Sequence, residues 1–220
     1  MNVYVNVDVE MAVQLYSGLC YPIPTHLTVR DFMRQAAEQL YEAHWSGLEA
    51  AAIPIKNWHP ELAGLPHEEI LSAPFAITDA QQTIAREYGF GGWSAVEKLG
   101  KRRFDEAFEA AVDAVVMGDV VQLQAALAQE PLLITQVSSF GHRATLLHYT
   151  AANGVETWRQ QVPYNVVDVA QILLAAGADP LAKMQVYGGA YTARELVETS
   201  VHPAAVGVGS GLSQLLLAAE

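Results

Sequence analysis

Recurring sequence units in the second half of the chain constrain its fold more than any other feature. Gly118 and Gly154, which each close a short stretch rich in alanine, lie 36 residues apart. Thr145 and Thr192, which each open an apolar stretch, lie 47 residues apart. Self-similarity at periods of about 20 to 50 residues is typical of solenoids, in which each unit buries its apolar face against its neighbours. The sequence therefore predicts a mainly α fold built from stacked repeats.

Two stretches of this region resemble the ankyrin repeat. Residues 145–154, TLLHYTAANG, resemble the ankyrin core TPLHxAAxxG, and residues 169–179, VAQILLAAGAD, resemble its second helix and ending, VxxLLxxGAD. Each residue type has a mechanical reason. Thr145 and His148 tie the start of a helix to the adjoining turn, and the closing glycines allow left-handed helix ends. We therefore expect His148 to be structural rather than catalytic.

Weaker copies flank this pair. Residues 110–132 resemble an N-terminal capping repeat, and residues 192–196 with 212–217 resemble a last repeat. The resemblance implies an ankyrin-repeat α-solenoid of about three repeats over residues 104–220. Residues 79–93 are also similar to a stretch found ahead of the repeats in uncharacterised bacterial ankyrin-repeat proteins. That resemblance implies a bacterial ankyrin protein and little about its activity.

Helical patterns also mark the first half of the chain. Thr28 is the expected cap of a helix that ends at Gly47. Further helices are expected from Thr78 and from Ser94, because each is followed three residues later by Gln or Glu, as in a capping box. Four prolines predict that residues 53–76 form an irregular connector.

The N-terminal arm alternates valine with mostly polar residues over positions 3–9, which predicts a short β-strand. A lone strand needs a partner, either a later hairpin or the same strand of another copy, so a homodimer through this edge is one expectation. We predict two domains: residues 1–103, the arm with an accessory helical region, and residues 104–220, the repeats. The accessory helices are expected to cover the first repeat, because an open solenoid end exposes an apolar face.

Composition bounds the class of protein. The formal net charge is -12 and the pI about 4.9. Nucleic acid is therefore not an expected partner, since binding its phosphates takes clustered Lys and Arg. No apolar run approaches the roughly 18 residues of a membrane span, and the first ten residues carry acid rather than the basic start of a secretory signal. The single cysteine, Cys20, fits a reducing compartment, so we expect a cytoplasmic protein that binds no membrane.

An insertion in the repeats is the expected binding region. The 47-residue step exceeds the ankyrin period of about 33, and the excess lies mainly at residues 155–164. Such insertions emerge as loops on one face, commonly the binding face. Aromatic and arginine side chains dominate protein interfaces, although the same rings could instead pack the loop against the repeats. The expected function is a non-catalytic module that binds another protein with a basic patch, in order to regulate or neutralise it. The expected partner-binding residues are Trp158, Arg159, Gln161, Tyr164, Tyr187 and Tyr191.

The alternative is an enzyme or a small-molecule-binding protein. Its polar pocket would lie between the connections 155–164 and 200–211, with Glu156, Arg159 and His202 as the reacting or binding residues. The same side chains could instead cap helix ends and bond loop backbone. No two histidines have the i, i+4 spacing of a zinc helix, so neither a metal nor a cofactor is expected.

Overall fold

A computed structural model describes residues 2–220 of the chain. These residues contain 13 α-helices and a few short strands, with 57% of the residues in helices, which confirms the expected mainly α class. Among them, no helix is long and apolar enough to cross a membrane. The chain divides into two compact units, and the first residues of the N-terminal arm belong to the same unit as most of the predicted repeats. One unit comprises residues 7–104 and 139–141, and the other comprises residues 2–6, 105–138 and 142–220.

The unit formed by residues 7–104 and 139–141 contains six helices and one 3-10 turn, Glu49–Ala51. The helices are α1 (Val7–Leu15), α2 (Val29–Trp45), α3 (Ala52–Trp58), α4 (His67–Ser72), α5 (Ile77–Glu87) and α6 (Trp93–Glu97).

Helix α2 begins as predicted. The Thr28 hydroxyl accepts a hydrogen bond from the Asp31 backbone N–H at 3.1 Å, and the predicted apolar stripe of this helix, up to His44, is buried. The stripe borders an aromatic core in which neighbouring ring centres lie 4.6 to 5.7 Å apart. The four rings of this core are Phe32, Tyr88, Phe104 and Phe140.

Two expectations for this unit are wrong. Residues 7–9, expected in a strand, begin α1, whose acidic first turn with Asp8 and Glu10 suits the positive end of a helix dipole. Residues 53–76 contain α3 and α4 rather than an irregular connector. Pro54 is compatible with α3 because it lies in the first turn, where a missing N–H removes no helical hydrogen bond.

Helices α5 and α6 each start one residue before the predicted cap. The Ala76 backbone N–H donates to the Asp79 carboxylate at 2.8 Å, so Asp79 rather than Gln81 supplies the capping contact of α5. Gly92, not Ser94, precedes α6. Both predicted helices are therefore present, although the capping residues from which they were predicted differ.

The unit that carries the repeats contains β1 (Val3–Tyr4), α7 (Glu106–Met117), α8 (Val120–Gln129), α9 (Leu146–Tyr149), β2 (Val162–Pro163), α10 (Val166–Ala175), β3 (Met184–Val186), β4 (Gly189–Tyr191), α11 (Ala193–Thr199), α12 (Val201–Ala205) and α13 (Gly209–Ala219). Two 3-10 turns complete it, Pro131–Thr135 and Thr157–Arg159.

The helices of this unit form two layers. In one layer α7, α9 and α11 contact one another in chain order, and in the other α8, α10 and α13 do so. Contacts also join the layers within each pair, α7 with α8, α9 with α10, and α11 with α13. Gly154 and Gly177, at φ +75° and +96°, adopt the predicted left-handed conformation. The result is an array in which successive helix pairs bury their faces against each other.

Strand β1 is paired within the chain. It runs antiparallel to β2, with Val3 opposite Pro163, and the Tyr164 backbone N–H donates to the Asn2 carbonyl oxygen at 3.2 Å. The expected N-terminal strand therefore forms over two residues, and its partner is the insertion 155–164. The edge of β1 is thus paired within one chain, and the argument for a homodimer, which assumed an unpaired strand, no longer applies.

Candidate functional site

The insertion 155–164 turns inward. Trp158 and Arg159 are fully buried and Gln161 is 5% exposed. This corrects the expectation that these three side chains offer a partner-binding surface, and the alternative, that the loop packs against the repeats, is what the structure shows. The Arg159 guanidinium lies over the Trp158 ring, 4.4 Å from its centre, so the two residues bury each other.

The buried guanidinium of Arg159 contacts three carboxylates. Its Nη1 lies 2.7 Å from Glu109 Oε2 and 3.5 Å from Glu156 Oε1, and its Nη2 lies 2.9 Å from Asp113 Oδ1. Glu109 and Asp113 are four residues apart on α7 and so share one face of that helix. These ion pairs attach the insertion to the first helix of the array.

Two more side chains reach Glu156. His142 Nε2 lies 3.6 Å from Glu156 Oε1, and the Tyr149 hydroxyl donates to the same oxygen at 3.3 Å. Apart from Asp113, whose side chain is 25% exposed, the charged groups are at most 3% exposed. We call Glu109, Asp113, His142, Glu156 and Arg159 the Arg159 cluster.

Burial and charge act in opposite directions on this cluster. Burial raises the pKa of Glu109 and of Asp113 above the ordinary carboxylate range, although the charge of Arg159 opposes it. Burial also acts to raise the pKa of Glu156, but the hydrogen bond and charge of His142, together with Arg159, lower it overall. Burial acts to lower the pKa of Arg159, yet the Glu109 and Glu156 carboxylates hold it well above its usual value. The Glu109 and Glu156 carboxylates thus favour the charged guanidinium, whereas burial favours the neutral forms of Glu109 and Asp113.

The polar pocket proposed for an enzyme does not form as an accessible site. Glu156 and Arg159 have no exposed surface, because each compensates the buried charge of the other. His202 lies on a different element, α12, where its ring centre is 6.5 Å from that of Tyr4. A substrate has no access to the first two residues, and this corrects their assignment as reacting groups.

His148 has the structural role expected from its position. Its Nδ1 lies 2.8 Å from the Thr145 hydroxyl and accepts the Thr145 backbone N–H at 3.1 Å. Its Nε2 lies 3.3 Å from the Tyr191 carbonyl oxygen. Burial lowers the pKa of His148 to about 4, so the ring is neutral at pH 7 and joins the start of α9 to the hairpin β3–β4.

An open cleft lies beside the hairpin β3–β4. Its volume is about 520 Å³. Tyr187 and Tyr191, two of the predicted partner-binding residues, meet in its wall, and Tyr187 is 55% exposed. We call this space the hairpin cleft. Its lining residues are Asn153, Tyr187, Tyr191, Glu195, Leu196, Glu198 and Thr199.

Asn153 connects the two sides of the hairpin cleft. Its Oδ1 accepts a hydrogen bond from the Tyr187 hydroxyl at 2.8 Å. Its Nδ2 donates to the Leu196 carbonyl oxygen at 3.0 Å and to the Thr199 hydroxyl at 3.1 Å. The hairpin tip and α11 are thereby held at a fixed separation, which keeps the cleft open.

Two carboxylates of α11 line the other wall. Glu195 Oε2 accepts the Thr192 backbone N–H at 2.8 Å, and that bond lowers the pKa of Glu195. Glu198 Oε1 accepts hydrogen bonds from Arg194 at 2.8 Å and from Ser213 at 3.1 Å. Each of these contacts uses one oxygen of the carboxylate concerned and leaves its second oxygen for another donor.

The structure thus separates the predicted binding residues into three places. Trp158, Arg159 and Gln161 are interior, Tyr187 and Tyr191 line the hairpin cleft, and Tyr164 is 57% exposed after β2. The sequence analysis named Glu156 but not the other carboxylates, Glu109 and Asp113 beside Arg159 and Glu195 and Glu198 in the hairpin cleft. A signal for two of them was present, because Glu109 and Asp113 interrupt the apolar sequence of α7 at positions that face the same way.

In comparisons with protein-family models, curated proteins and solved structures, no match to this chain was found.

Proposed function

We propose that residues 104–220 are an ankyrin-type repeat module that binds another protein and carries out no catalysis. The observation that carries the proposal is the two-layer array of three helix pairs, from which the hairpin β3–β4 presents an exposed tyrosine at its turn. Repeat arrays of this kind offer extended surfaces, and tyrosine is among the residues that contribute most to interfaces.

The sequence stretches that resemble ankyrin repeats fall on three successive helix pairs, and this supports the proposal. The three pairs are α7 with α8, α9 with α10, and α11 with α13, and the hairpin precedes the third pair. The Thr192 backbone N–H donates to the Glu195 carboxylate at 2.8 Å, just as the Thr145 backbone N–H donates to His148 Nδ1 at 3.1 Å, so the two threonines start their helices alike.

The proposed partner carries a basic patch. Residues 104–220 contain twelve acidic and four basic side chains, and opposite charge on a partner would favour encounter and register. Regulation and neutralisation of that partner are both compatible with such a module. The single cysteine favours a reducing compartment, so the cytoplasm is the proposed location.

Site-specific photocrosslinking in the native host tests this function. p-Benzoylphenylalanine replaces Tyr187 at the hairpin turn in one variant and Tyr164 in a second. Val121, which is 71% exposed on α8, is replaced in the control variant. We expect the variant at position 187 to form one crosslinked adduct of constant mass with a partner protein. The variant at position 164 should form the same adduct with equal or lower yield, and the control variant at position 121 should not form it.

The outcome that contradicts the proposal is equally plain. Adducts that are absent at both tyrosine positions, or that form as strongly at 121 as at 187, show that the hairpin is not a binding surface. Melting curves of the three variants, compared with the unmodified chain, establish that each one is folded during the experiment.

A further inference from the structure

The hairpin cleft combines features that suit one kind of side chain. One wall presents the rings of Tyr187 and Tyr191, and the other presents the Glu195 and Glu198 carboxylates, three residues apart on α11. None of the seven lining residues is basic. A cation entering the cleft therefore meets aromatic faces on one side and negative charge on the other, and both attract it.

The turn of the hairpin is built around Tyr187 at a conformational cost. Tyr187 and Gly188 are the two turn residues, at φ +53° and +75°. This type I′ turn ordinarily has Asn-Gly or Asp-Gly, and a bulky residue at positive φ is an outlier. The strained backbone at Tyr187 lowers the stability of the fold and places an aromatic ring at the cleft. Strain of this kind is common at binding sites.

The second ring is also held in place. Tyr191 lies against Gly189, where a Cβ atom would come within 2.8 Å of the ring. The small residue at position 189 is what allows the ring to fold back along the hairpin. The rings of Tyr187 and Tyr191, which form the aromatic wall of the cleft, are therefore both positioned by the backbone of one short hairpin.

The same chain already recognises guanidinium groups in this manner. Arg159 stacks on the Trp158 ring while it contacts carboxylates, and Arg194 bonds Glu198 from outside the set of lining residues. A planar guanidinium stacks on a ring and presents its N–H donors in a fixed fork, whereas an ammonium has three donors but no flat face to stack. The unused oxygens of Glu195 and Glu198 are the acceptors that an incoming guanidinium needs.

We propose that the hairpin cleft binds an arginine side chain of the partner's basic segment. The inference rests on the proposed function for the existence of a partner, and it adds the chemistry by which that partner is recognised. Guanidinium stacking on Tyr187 and Tyr191 supplies the apolar contact, and the α11 carboxylates supply the charge.

Titration of the full-length, ¹⁵N-labelled protein with capped pentapeptides tests the proposal without any mutation. The probe is Gly-Gly-Arg-Gly-Gly, and the matched control replaces arginine by citrulline, which keeps the shape and removes the charge. We expect saturable shifts of amide signals within residues 187–199. The citrulline peptide should bind at least about tenfold more weakly, because a charged donor is replaced by a neutral one.

Two variants then assign the binding to the carboxylate wall. Glu198→Gln should weaken the arginine peptide by about three- to fivefold, the usual range for an exposed charge pair. Asp168→Asn removes the same charge from an exposed position on α10 and should change the affinity by less than about 1.5-fold in 0.15 M salt.

Three results would overturn the inference: equal binding of the citrulline peptide, equal binding of a lysine peptide, or shifts that lie outside the cleft. Its failure is distinct from failure of the proposed function. A partner adduct at position 187 without arginine binding rejects the arginine site and keeps the module, whereas arginine binding without a partner adduct does the reverse.

Discussion

Replacement of Arg159 by methionine removes the guanidinium that compensates Glu109, Asp113 and Glu156. The methionine fills much of the same space over Trp158, so packing changes little while the charge disappears. Glu109 Oε1 and Glu156 Oε2 are already buried without a hydrogen bond, which leaves these carboxylates dependent on the cation. Breaking a buried ion pair by removing one partner costs about 3 to 5 kcal/mol, and we expect a loss in that range at pH 7.

The loss should depend on pH in a direction set by the carboxylates. Burial raises the pKa of Glu109 and Asp113. At pH values just above the ordinary carboxylate pKa range, the folded chain therefore binds more protons than the unfolded chain. Removal of Arg159 takes away a charge that lowers those two pKa values, so they rise further. The deficit of the variant should therefore be largest at pH 7 and should shrink as the pH falls, because protonation neutralises these two carboxylates.

Urea unfolding followed by circular dichroism at pH 7 and pH 5 measures both quantities. Arg143→Met is the matched control, because Arg143 is exposed in the same unit, and it should shift the free energy of unfolding by less than about 0.5 kcal/mol. The double variant Arg159→Met, Glu109→Gln should recover part of the loss, since one uncompensated charge is removed. A deficit below about 1 kcal/mol at pH 7, or an equal deficit at both pH values, would refute this account of the cluster.

Three further substitutions have expected outcomes. Tyr187→Asn should change the free energy of unfolding by less than about 1 kcal/mol, because asparagine suits a type I′ turn better and this offsets the lost hydrogen bond. The same substitution should abolish binding of the arginine peptide in the titration. Gly118→Ala combines φ +69° with a Cβ that would clash with Asn165 Oδ1, whereas the Cβ of Gly177→Ala meets nothing within 4 Å. The urea midpoint of Gly118→Ala should therefore indicate a loss of stability about 1 to 2 kcal/mol larger than that of Gly177→Ala. Trp158→Ala should lower the free energy of unfolding by about 3 to 5 kcal/mol in urea, because the Trp158 side chain is fully buried. A melting temperature of this variant within a few degrees of that of the unmodified chain would show that the ring is not part of the core.

The helices with a clear apolar period were the predictable part of the fold. The stripe of α2 and its Thr28 cap follow from local sequence alone, since both depend on residues within one or two turns. Helix α1 was missed because alternating valines at its start suit a strand, whereas its buried residues, Val9, Ala12 and Leu15, recur at helical spacing.

The candidate site was predictable only in residue type. Aromatic and arginine side chains serve equally well at an interface and in a core, and the choice at Arg159 is made by Glu109 and Asp113, which lie 50 and 46 residues away along the chain. Tyr187 and Tyr191 flank a glycine pair, and their turn is a local feature that sequence does reveal. The carboxylates of the opposite wall come from α11, which begins two residues after the hairpin, but the turn of the chain that brings α11 back against Tyr187 leaves no signal in the sequence.

The pairing of β1 with β2 has a consequence for synthesis of the chain. Tyr4 is synthesised about 160 residues before its partner Val162. At the usual 5 to 20 residues per second, the N-terminal strand waits roughly 8 to 32 s for the strand that pairs its edge. Residues 7–104 are synthesised within that interval. The unit that contains β1 and β2 is therefore the last of the two to be completed.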